Sequence, residues 1–202
     1  MNIFCIGRNY GEHIKELNNQ TPENPVVFCK PNSAALTDNK AFYYPDFSTD
    51  IHYEVEVLFK IARPGKRIQA SQALDYISQI GLGIDFTARD LQSQCKSKGL
   101  PWEIAKAFDH SAVIGQWINI ENTDLRNLNF SLQKNKQVVQ QGNTKDMMFS
   151  IEQIIEYLSR FFKLNTGDIL FTGTPAGVGP IAVGDLLEGF LECKQMFSCE
   201  IK

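Results

Sequence analysis

Short apolar segments with the spacing of β-strands recur along the whole chain, and few helical segments separate them. Residues 52–61 show this spacing most clearly, because Tyr53, Val55 and Val57 occupy every second position, which is the period of a strand. Further strands are predicted at residues 2–6, 26–29, 80–86, 113–118, 128–133, 137–141 and 167–171, with two more near the end. Since strands outnumber helices and do not alternate with them strictly, the pattern predicts a β-rich α+β fold.

The helix predicted at residues 150–164 has the strongest helical signal. Apolar residues recur there every three or four positions, and Ser150 with Gln153 has the spacing of a capping box. A second helix is predicted from Thr87, with Asp90 as the partner in a variant of the capping box. Shorter helices are predicted at residues 9–17 and 71–77.

Length and charge restrict the function classes. The 202 residues are enough for one domain, predicted to span 1–202. With 20 Lys and Arg against 23 Asp and Glu, the net charge is −3, which argues against a nucleic-acid partner. No apolar stretch approaches a membrane span, no secretory signal is seen, and the five cysteines are scattered. We therefore expect a cytoplasmic protein with no membrane partner.

Two glutamates share one face of the strand at residues 52–61. Glu54 and Glu56 are two positions apart, so their carboxylates project to the same side and repel each other unless a cation lies between them. Asp85 ends an apolar and glycine-rich run, a position from which a side chain can reach a site. Three carboxylates would suit a hard divalent cation such as Mg²⁺. The alternatives are a solvated outer face for the glutamates and a turn or helix-cap role for Asp85.

Cationic and amide side chains follow in the sequence. Arg89 and Gln92 lie three positions apart at the start of a predicted helix, where they would suit an anionic, oxygen-rich ligand. Lys106 is a lone lysine among small and apolar residues. It could stabilise an oxyanion or lie on the surface.

A possible base and a glycine-rich turn complete the candidates. His13 and Glu16 have the i, i+3 spacing in which the carboxylate orients the imidazole as a general base. An ordinary surface pair has the same spacing. Residues 172–180 do not match a phosphate loop. This segment is either a tight turn or a place where threonine hydroxyls hold a substrate carboxylate.

Together these segments resemble the fumarylacetoacetate hydrolase family, and most closely its short members that act on acylpyruvates and oxaloacetate. The resemblance rests on GRNY at residues 7–10 with His13 and Glu16, YEVE at 53–56, DFTARDLQ at 85–92, KAF at 106–108 and GDILFTGTPAGVG at 167–179. These motifs run in family order along the whole chain. At 202 residues the chain has no room for the extra N-terminal domain of the longer members, so contacts made by that domain are not transferred.

The resemblance implies a β-rich roll of mixed sheets with a few flanking helices, and a homodimer. It implies a metal ion, Mg²⁺ or Mn²⁺ with Ca²⁺ as a further option, held by Glu54, Glu56 and Asp85. It further implies a mobile lid at residues 8–20 carrying the dyad of His13 and Glu16. The substrate-binding residues implied are Arg8, Arg89, Gln92 and Thr174, with Lys106 as a catalytic residue.

The function expected is metal-dependent cleavage of a carbon–carbon bond in a small 2-oxo acid. The reaction would be hydrolysis of an acylpyruvate such as fumarylpyruvate, or decarboxylation of oxaloacetate. Two alternatives stay open. One is an isomerase or tautomerase of 2-oxo or hydroxymuconate-type acids in aromatic degradation, and the other is a metal-binding family member without turnover.

Overall fold

Three β-sheets form the framework of the protein. The structure, a computed structural model, describes residues 1–17, 20–121 and 123–202. The strands in these ranges are β1 (Ile3–Gly7), β2 (Val26–Lys30), β3 (Ala35–Leu36), β4 (Ile51–Tyr53), β5 (Val55–Ile61), β6 (Ile77–Asp85), β7 (Thr87–Ala88), β8 (Ala112–Ile114), β9 (Ile118–Asn119), β10 (Asn129–Lys134), β11 (Gln137–Asn143), β12 (Ile169–Phe171), β13 (Gly179–Pro180), β14 (Leu186–Leu191) and β15 (Lys194–Glu200).

Four short α-helices flank the sheets in the described ranges. They are α1 (Gly11–Glu16), α2 (Arg89–Lys98), α3 (Glu103–Lys106) and α4 (Ile151–Phe161), accompanied by 3-10 helices at Asn32–Ala34, Ala70–Tyr76 and Thr144–Asp146. None of the helices described is long and apolar enough to cross a membrane.

The largest sheet has eight strands and carries the candidate site. Its order is β2-β1-β12-β5-β6-β8-β3, with β9 also paired to β6. The β1–β12 and β3–β8 pairs are parallel, and the other pairs are antiparallel. A four-stranded sheet (β11-β10-β14-β15) and a three-stranded sheet (β13-β4-β7) complete the fold. The β-rich α+β fold with mixed sheets and few helices is confirmed.

Both faces of β5 are buried. Val55, Val57 and Phe59 point into the main hydrophobic core, whereas Leu58 packs into a second, smaller apolar cluster on the other side of the sheet. The side that carries Glu54 and Glu56 is therefore also covered by protein. This arrangement places charged groups inside the molecule, where they need partners.

The start of α2 differs from its prediction. Thr87 lies in β7, and α2 begins at Arg89 after Ala88, which provides no side-chain cap. The proposed capping partner Asp90 instead accepts hydrogen bonds from the Ser48 hydroxyl at 2.7 Å and the Thr49 amide at 3.2 Å. Pairing of β7 with β4 competes successfully with the local capping signal.

Other predicted elements are confirmed with changed boundaries. The capping box of Ser150 and Gln153 is present, but α4 ends at Phe161, three residues before the predicted end at 164. The predicted helix at 71–77 is the 3-10 helix Ala70–Tyr76, and the predicted strand at 113–118 divides into β8 and β9.

Candidate active site

The three predicted metal-binding carboxylates meet where β5 and β6 pair. The antiparallel register sets Glu56 opposite Gly83, and the Asp85 amide donates to the Glu54 carbonyl oxygen at 2.8 Å. Directly opposed residues on one face of a sheet have side chains about 5 Å apart. One carboxylate oxygen from each of Glu54, Glu56 and Asp85 lies within 4.8 Å of the others.

The burial of the candidate side chains decides between the site roles and the surface roles that the sequence left open. Glu54, Glu56 and Asp85 are 5%, 2% and 0% exposed, and Lys106 and His13 are also buried. The solvated-face alternative for the glutamates is wrong, as are the surface alternatives for Lys106 and for His13. Asp85 is the last residue of β6 and not a turn or cap residue.

Lys106 connects two of the carboxylates. Its ammonium donates to Glu54 Oε2 at 2.8 Å, to Asp85 Oδ2 at 2.7 Å and to Thr87 Oγ1 at 2.6 Å. Burial alone would lower the pKa of Lys106, but the charges of Asp85 and Glu54 outweigh burial and raise it. Lys106 is therefore a protonated cation whose three donors are all engaged within the protein.

Arg89 neutralises the other side of Glu54. Its Nη2 donates to Glu54 Oε1 at 2.6 Å, and its Nη1 donates to Gln92 Oε1 at 2.7 Å. Burial raises the pKa of Glu54, whereas Lys106 and Arg89 together lower it, so that the net pKa is well below the ordinary value. Glu54 is thus held as a carboxylate.

The remaining carboxylate oxygens fit a divalent cation. Asp85 Oδ1 is buried without a hydrogen bond among the described residues, although Lys30 Nζ lies 2.8 Å away outside hydrogen-bonding alignment. Glu56 accepts a hydrogen bond from the Gly173 amide at 2.7 Å. Burial, followed by the charges of Asp85 and Glu54, raises the pKa of Glu56 well above its ordinary value. A cation with oxygen ligands would compensate this repulsion.

Lys30 is a site residue that sequence analysis missed. Its fully buried side chain donates to the carbonyl oxygen of Lys106 and, at 2.9 Å, to the Ser111 hydroxyl, while it faces Asp85. The available signal was a lysine directly after the apolar run at 26–29 and before Pro31. The sequence could not show that this lysine points inward.

The predicted dyad is formed. His13 Nδ1 lies 3.0 Å from Glu16 Oε2, and Glu16 Oε1 accepts a hydrogen bond from the Gly177 amide at 3.0 Å. Both residues belong to α1, and His13 lines the same cleft as the carboxylates. Of the predicted lid at 8–20, residues 18 and 19 lie outside the described residues.

Asn9 fixes the chain just before α1. Its buried amide donates to the Thr172 carbonyl oxygen at 2.8 Å and to the Phe149 carbonyl oxygen at 3.1 Å, and its Oδ1 accepts from the Phe149 amide. Sequence analysis gave Asn9 no role, because these partners are distant in the chain. The contacts align His13 relative to the loop after β12.

The glycine-rich loop after β12 contributes a hydroxyl group. Thr174 Oγ1 accepts a hydrogen bond from Gln140 Nε2 at 2.8 Å, which leaves its own proton available to the cleft. Gln140, a second residue missed from the sequence, also accepts from the Val55 amide at 2.9 Å. This contact ties the loop to β5.

The predicted residues converge on one cleft. It is small and open to solvent, and the volume that the centre of a water molecule can occupy within it is about 30 Å³. Its lining includes Arg8, His13, Glu54, Glu56, Asp85, Arg89, Gln92, Lys106 and Thr174, with Glu16 immediately behind His13. Lys96 and Trp102 also line the cleft and were not predicted.

Comparisons with known proteins agree with this geometry. The family model for the fumarylacetoacetate hydrolase C-terminal domain matches residues 2–202. The chain is 38% identical over 188 residues to the bovine (Bos taurus) protein named oxaloacetate tautomerase FAHD1, mitochondrial, covering 93% of this chain and 85% of that one. It is 39% identical to the Dictyostelium discoideum oxaloacetate decarboxylase, mitochondrial, over 92% of this chain and 86% of that one.

A solved structure is similar over the whole length. Fumarylpyruvate hydrolase from Pseudomonas aeruginosa, in complex with Mn²⁺ and pyruvate, superposes with a TM-score of 0.94 at 34% identity. The match covers 100% of this chain and 89% of that one. By sequence and by fold, the chain belongs to the fumarylacetoacetate hydrolase family.

Proposed function

We propose that the protein is a divalent-metal-dependent enzyme that cleaves a carbon–carbon bond in a small 2-oxo acid. The reaction is hydrolysis of an acylpyruvate-type substrate or decarboxylation of oxaloacetate. The observation that carries the proposal is the buried cluster of Glu54, Glu56 and Asp85 at the base of a cleft that also contains the His13–Glu16 dyad. The metal-containing relative from Pseudomonas aeruginosa supports it.

The carboxylate cluster would hold Mg²⁺ or Mn²⁺, with Ca²⁺ as a further option. Such a cation, when bound, supplies Lewis acidity that stabilises the negative charge of an enolate. Arg89 and Gln92 lie beside Glu54 and orient the carboxylate end of the substrate. The free Thr174 proton is available to the same group.

His13 is the proposed base. Its Nδ1 is engaged by Glu16, so Nε2 is the nitrogen left for the cleft. In hydrolysis it removes a proton from water as the water oxygen adds to the acyl carbonyl. The bond to the pyruvate methylene carbon then breaks, its electron pair passes into the pyruvate enolate, and the enolate carbon takes up the proton held by His13 to give pyruvate beside the carboxylic acid. In decarboxylation the bond to the distal carboxylate breaks instead, carbon dioxide leaves, and no water is needed.

Lys106 acts in this proposal through its charge. It is a protonated cation at the cleft wall, and a developing oxyanion there gains from a positive group within a buried site. Its bonds to Glu54 and Asp85 also keep both carboxylates oriented. Lys106 therefore has two roles in this proposal, which are positioning of the carboxylates and electrostatic stabilisation.

A second candidate is tautomerisation or isomerisation of the 2-oxo acid. A single base placed like His13 can take a proton from carbon and return it elsewhere, and the bovine relative is named an oxaloacetate tautomerase. Separate assays distinguish the candidates: pyruvate release reports carbon–carbon cleavage, whereas the ultraviolet absorbance of the enol reports tautomerisation.

The central experiment removes and restores the metal. We expect chelated protein to be inactive on a panel of acylpyruvates, oxaloacetate and hydroxymuconate-type acids, and Mg²⁺ or Mn²⁺ to restore activity. Glu56→Ala should lose tight metal binding in calorimetry together with turnover, because two carboxylates form a weak site. Full activity of the chelated protein would refute the proposal, and metal binding without turnover on any substrate would favour the non-catalytic alternative.

Replacement of His13 separates the reactions. His13→Ala should depress acylpyruvate hydrolysis by roughly 10²-fold or more, as expected for loss of a general base, and should depress oxaloacetate decarboxylation much less. Equal losses in both activities with unchanged metal affinity would assign the dyad a shared positioning role.

Three further expectations stay predictions. Light scattering tests the homodimer, and amide hydrogen exchange tests mobility of the segment 8–20. The cytoplasmic location is tested by cell fractionation, which is needed because the bovine and Dictyostelium relatives are named as mitochondrial.

A further inference from the structure

Two cations line the cleft without serving the carboxylate cluster. Arg8 and Lys96 belong to its wall, and neither forms an ion pair within residues 1–17, 20–121 and 123–202. Glu54 and Asp85 pair instead with Arg89, Lys106 and Lys30. The positive charges of Arg8 and Lys96 therefore have no carboxylate partner at the cleft among the described residues.

Lys96 lies in line with the residues proposed to hold the substrate. Arg89, Gln92 and Lys96 have the spacing i, i+3 and i+7 in α2, so they form one stripe along the helix. Seven residues span about 10.5 Å of helix axis. Since Arg89 contacts Glu54, Lys96 lies further from the carboxylate cluster, where the far end of a bound substrate would be.

Arg8 is held in a constrained conformation beside the cleft. Its φ of 60° is in the left-handed region, which is uncommon for a residue other than glycine. Its side chain is half-buried. Such backbone strain persists where the surrounding structure holds a residue in place, often at a ligand site.

The surroundings of Lys96 favour an incoming anion. Burial, then the charges of Arg8 and Arg89, lower the pKa of Lys96 to about 8. The Lys96 ammonium lies 5.6 Å from the centroid of the Trp102 ring, which holds it at the cleft wall. An anion placed between Arg8 and Lys96 would relieve the repulsion between them.

We propose that Lys96, together with Arg8, binds the second carboxylate of a 2-oxo dicarboxylic acid and makes the site select dianionic over monoanionic ligands. The inference rests on the proposed function, because it assumes that the 2-oxo acid end lies at the carboxylate cluster. The charges that line the cleft also favour a dianionic ligand, because four cationic side chains face three carboxylates. A divalent cation would add to this positive excess.

Calorimetry with two unreactive probes tests the proposal. 2-Oxoglutarate and 2-oxopentanoate have the same carbon number and differ in a terminal carboxylate against a methyl group. With Mg²⁺-loaded protein at pH 7, Lys96→Gln should weaken 2-oxoglutarate binding roughly 10- to 100-fold, as expected for one charge-assisted hydrogen bond. It should leave 2-oxopentanoate binding within about twofold.

Lys98→Gln is the matched control. Lys96 and Lys98 are both exposed residues of the same helix, but Lys98 is absent from the cleft lining, so this variant removes the same charge and should change neither affinity. An equal effect of Lys96→Gln on both probes, or no effect on either, would overturn the role of Lys96 while leaving the proposed function in place. Failure of the wild-type protein to bind either probe would overturn the 2-oxo acid site itself, and this inference with it.

Discussion

At the scale of single residues, most of the buried charges in the site are paired with one another. Lys30 is the clearest case, because its side chain is fully buried and contacts Asp85, Ser111 and the carbonyl oxygen of Lys106. Removing one partner from a buried pair leaves an uncompensated charge in a medium of low dielectric constant. The contribution of a cation to stability therefore depends on where it lies more than on whether it is paired.

Two lysine variants test this dependence. Lys30→Met should lower the free energy of unfolding by about 3–5 kcal/mol, the range for breaking a buried ion pair. Lys15→Met is the matched control, because Lys15 pairs with Glu12 at 2.7 Å while 74% exposed, and it should change stability by only about 0.5 kcal/mol. Denaturant unfolding measures both values. A loss below about 1 kcal/mol for Lys30→Met would show that Asp85 finds another partner.

At the scale of elements, one loop joins the proposed base His13 to the strands that carry the carboxylate cluster. The loop after β12 donates one backbone amide to Glu56 from Gly173 and another to Glu16 from Gly177. Gly177 has a φ of 98°, and a Cβ added there would overlap the carbonyl oxygen of Val139. Glycine is required at this position by both conformation and space.

Gly177→Ala should therefore lower both stability and turnover. Strain of this kind costs on the order of 1–3 kcal/mol, and a displaced loop would release Glu16 and misalign His13. Gly184→Ala is the matched control, since Gly184 has a φ of 95° but open space around its Cβ position. The control should lose stability but keep kcat. Loss of kcat in both variants would contradict the proposed role of the loop.

At the scale of the whole molecule, metal binding at the carboxylate cluster would be coupled to folding. Glu54 and Glu56 come from the β4–β5 segment, Asp85 comes from β6, and unfolding separates them. A ligand that binds only the folded state stabilises it by about 2.7 kcal/mol at a hundredfold excess over its Kd. For a chain of this size, that corresponds to a rise in Tm of roughly 5–10 °C.

Mg²⁺ or Mn²⁺ should produce this rise in thermal scans, and a chelator should reverse it. Glu56→Gln should show no rise, because it lacks one of the three anionic ligands. Without metal, the variant should be at least as stable as the wild-type protein, because one of three mutually repelling charges is removed. A full metal-dependent rise in Glu56→Gln would argue against Glu56 as a ligand.

The sequence by itself determined the local features. The two-residue period predicted the strand β5, and the spacing of Ser150 and Gln153 predicted the start of α4. Because Glu54 and Glu56 are two positions apart, the sequence also placed them on one face of the strand. The order of the motifs indicated the family. These features depend on neighbours only a few positions apart, which is the range over which a sequence pattern can be read.

Only the tertiary structure decided burial and long-range partners. A period of two shows which residues share a face but not whether that face is covered, and only the structure shows that Glu54 and Glu56 are 5% and 2% exposed. The roles of Lys30, Asn9 and Gln140 depend on partners distant in the chain. Thr87 shows the same limit, because its local capping signal was overridden by the pairing of β7 with β4 and by the contact with Lys106. Strand pairing and enclosure arise when the whole chain packs, so local pattern cannot specify them.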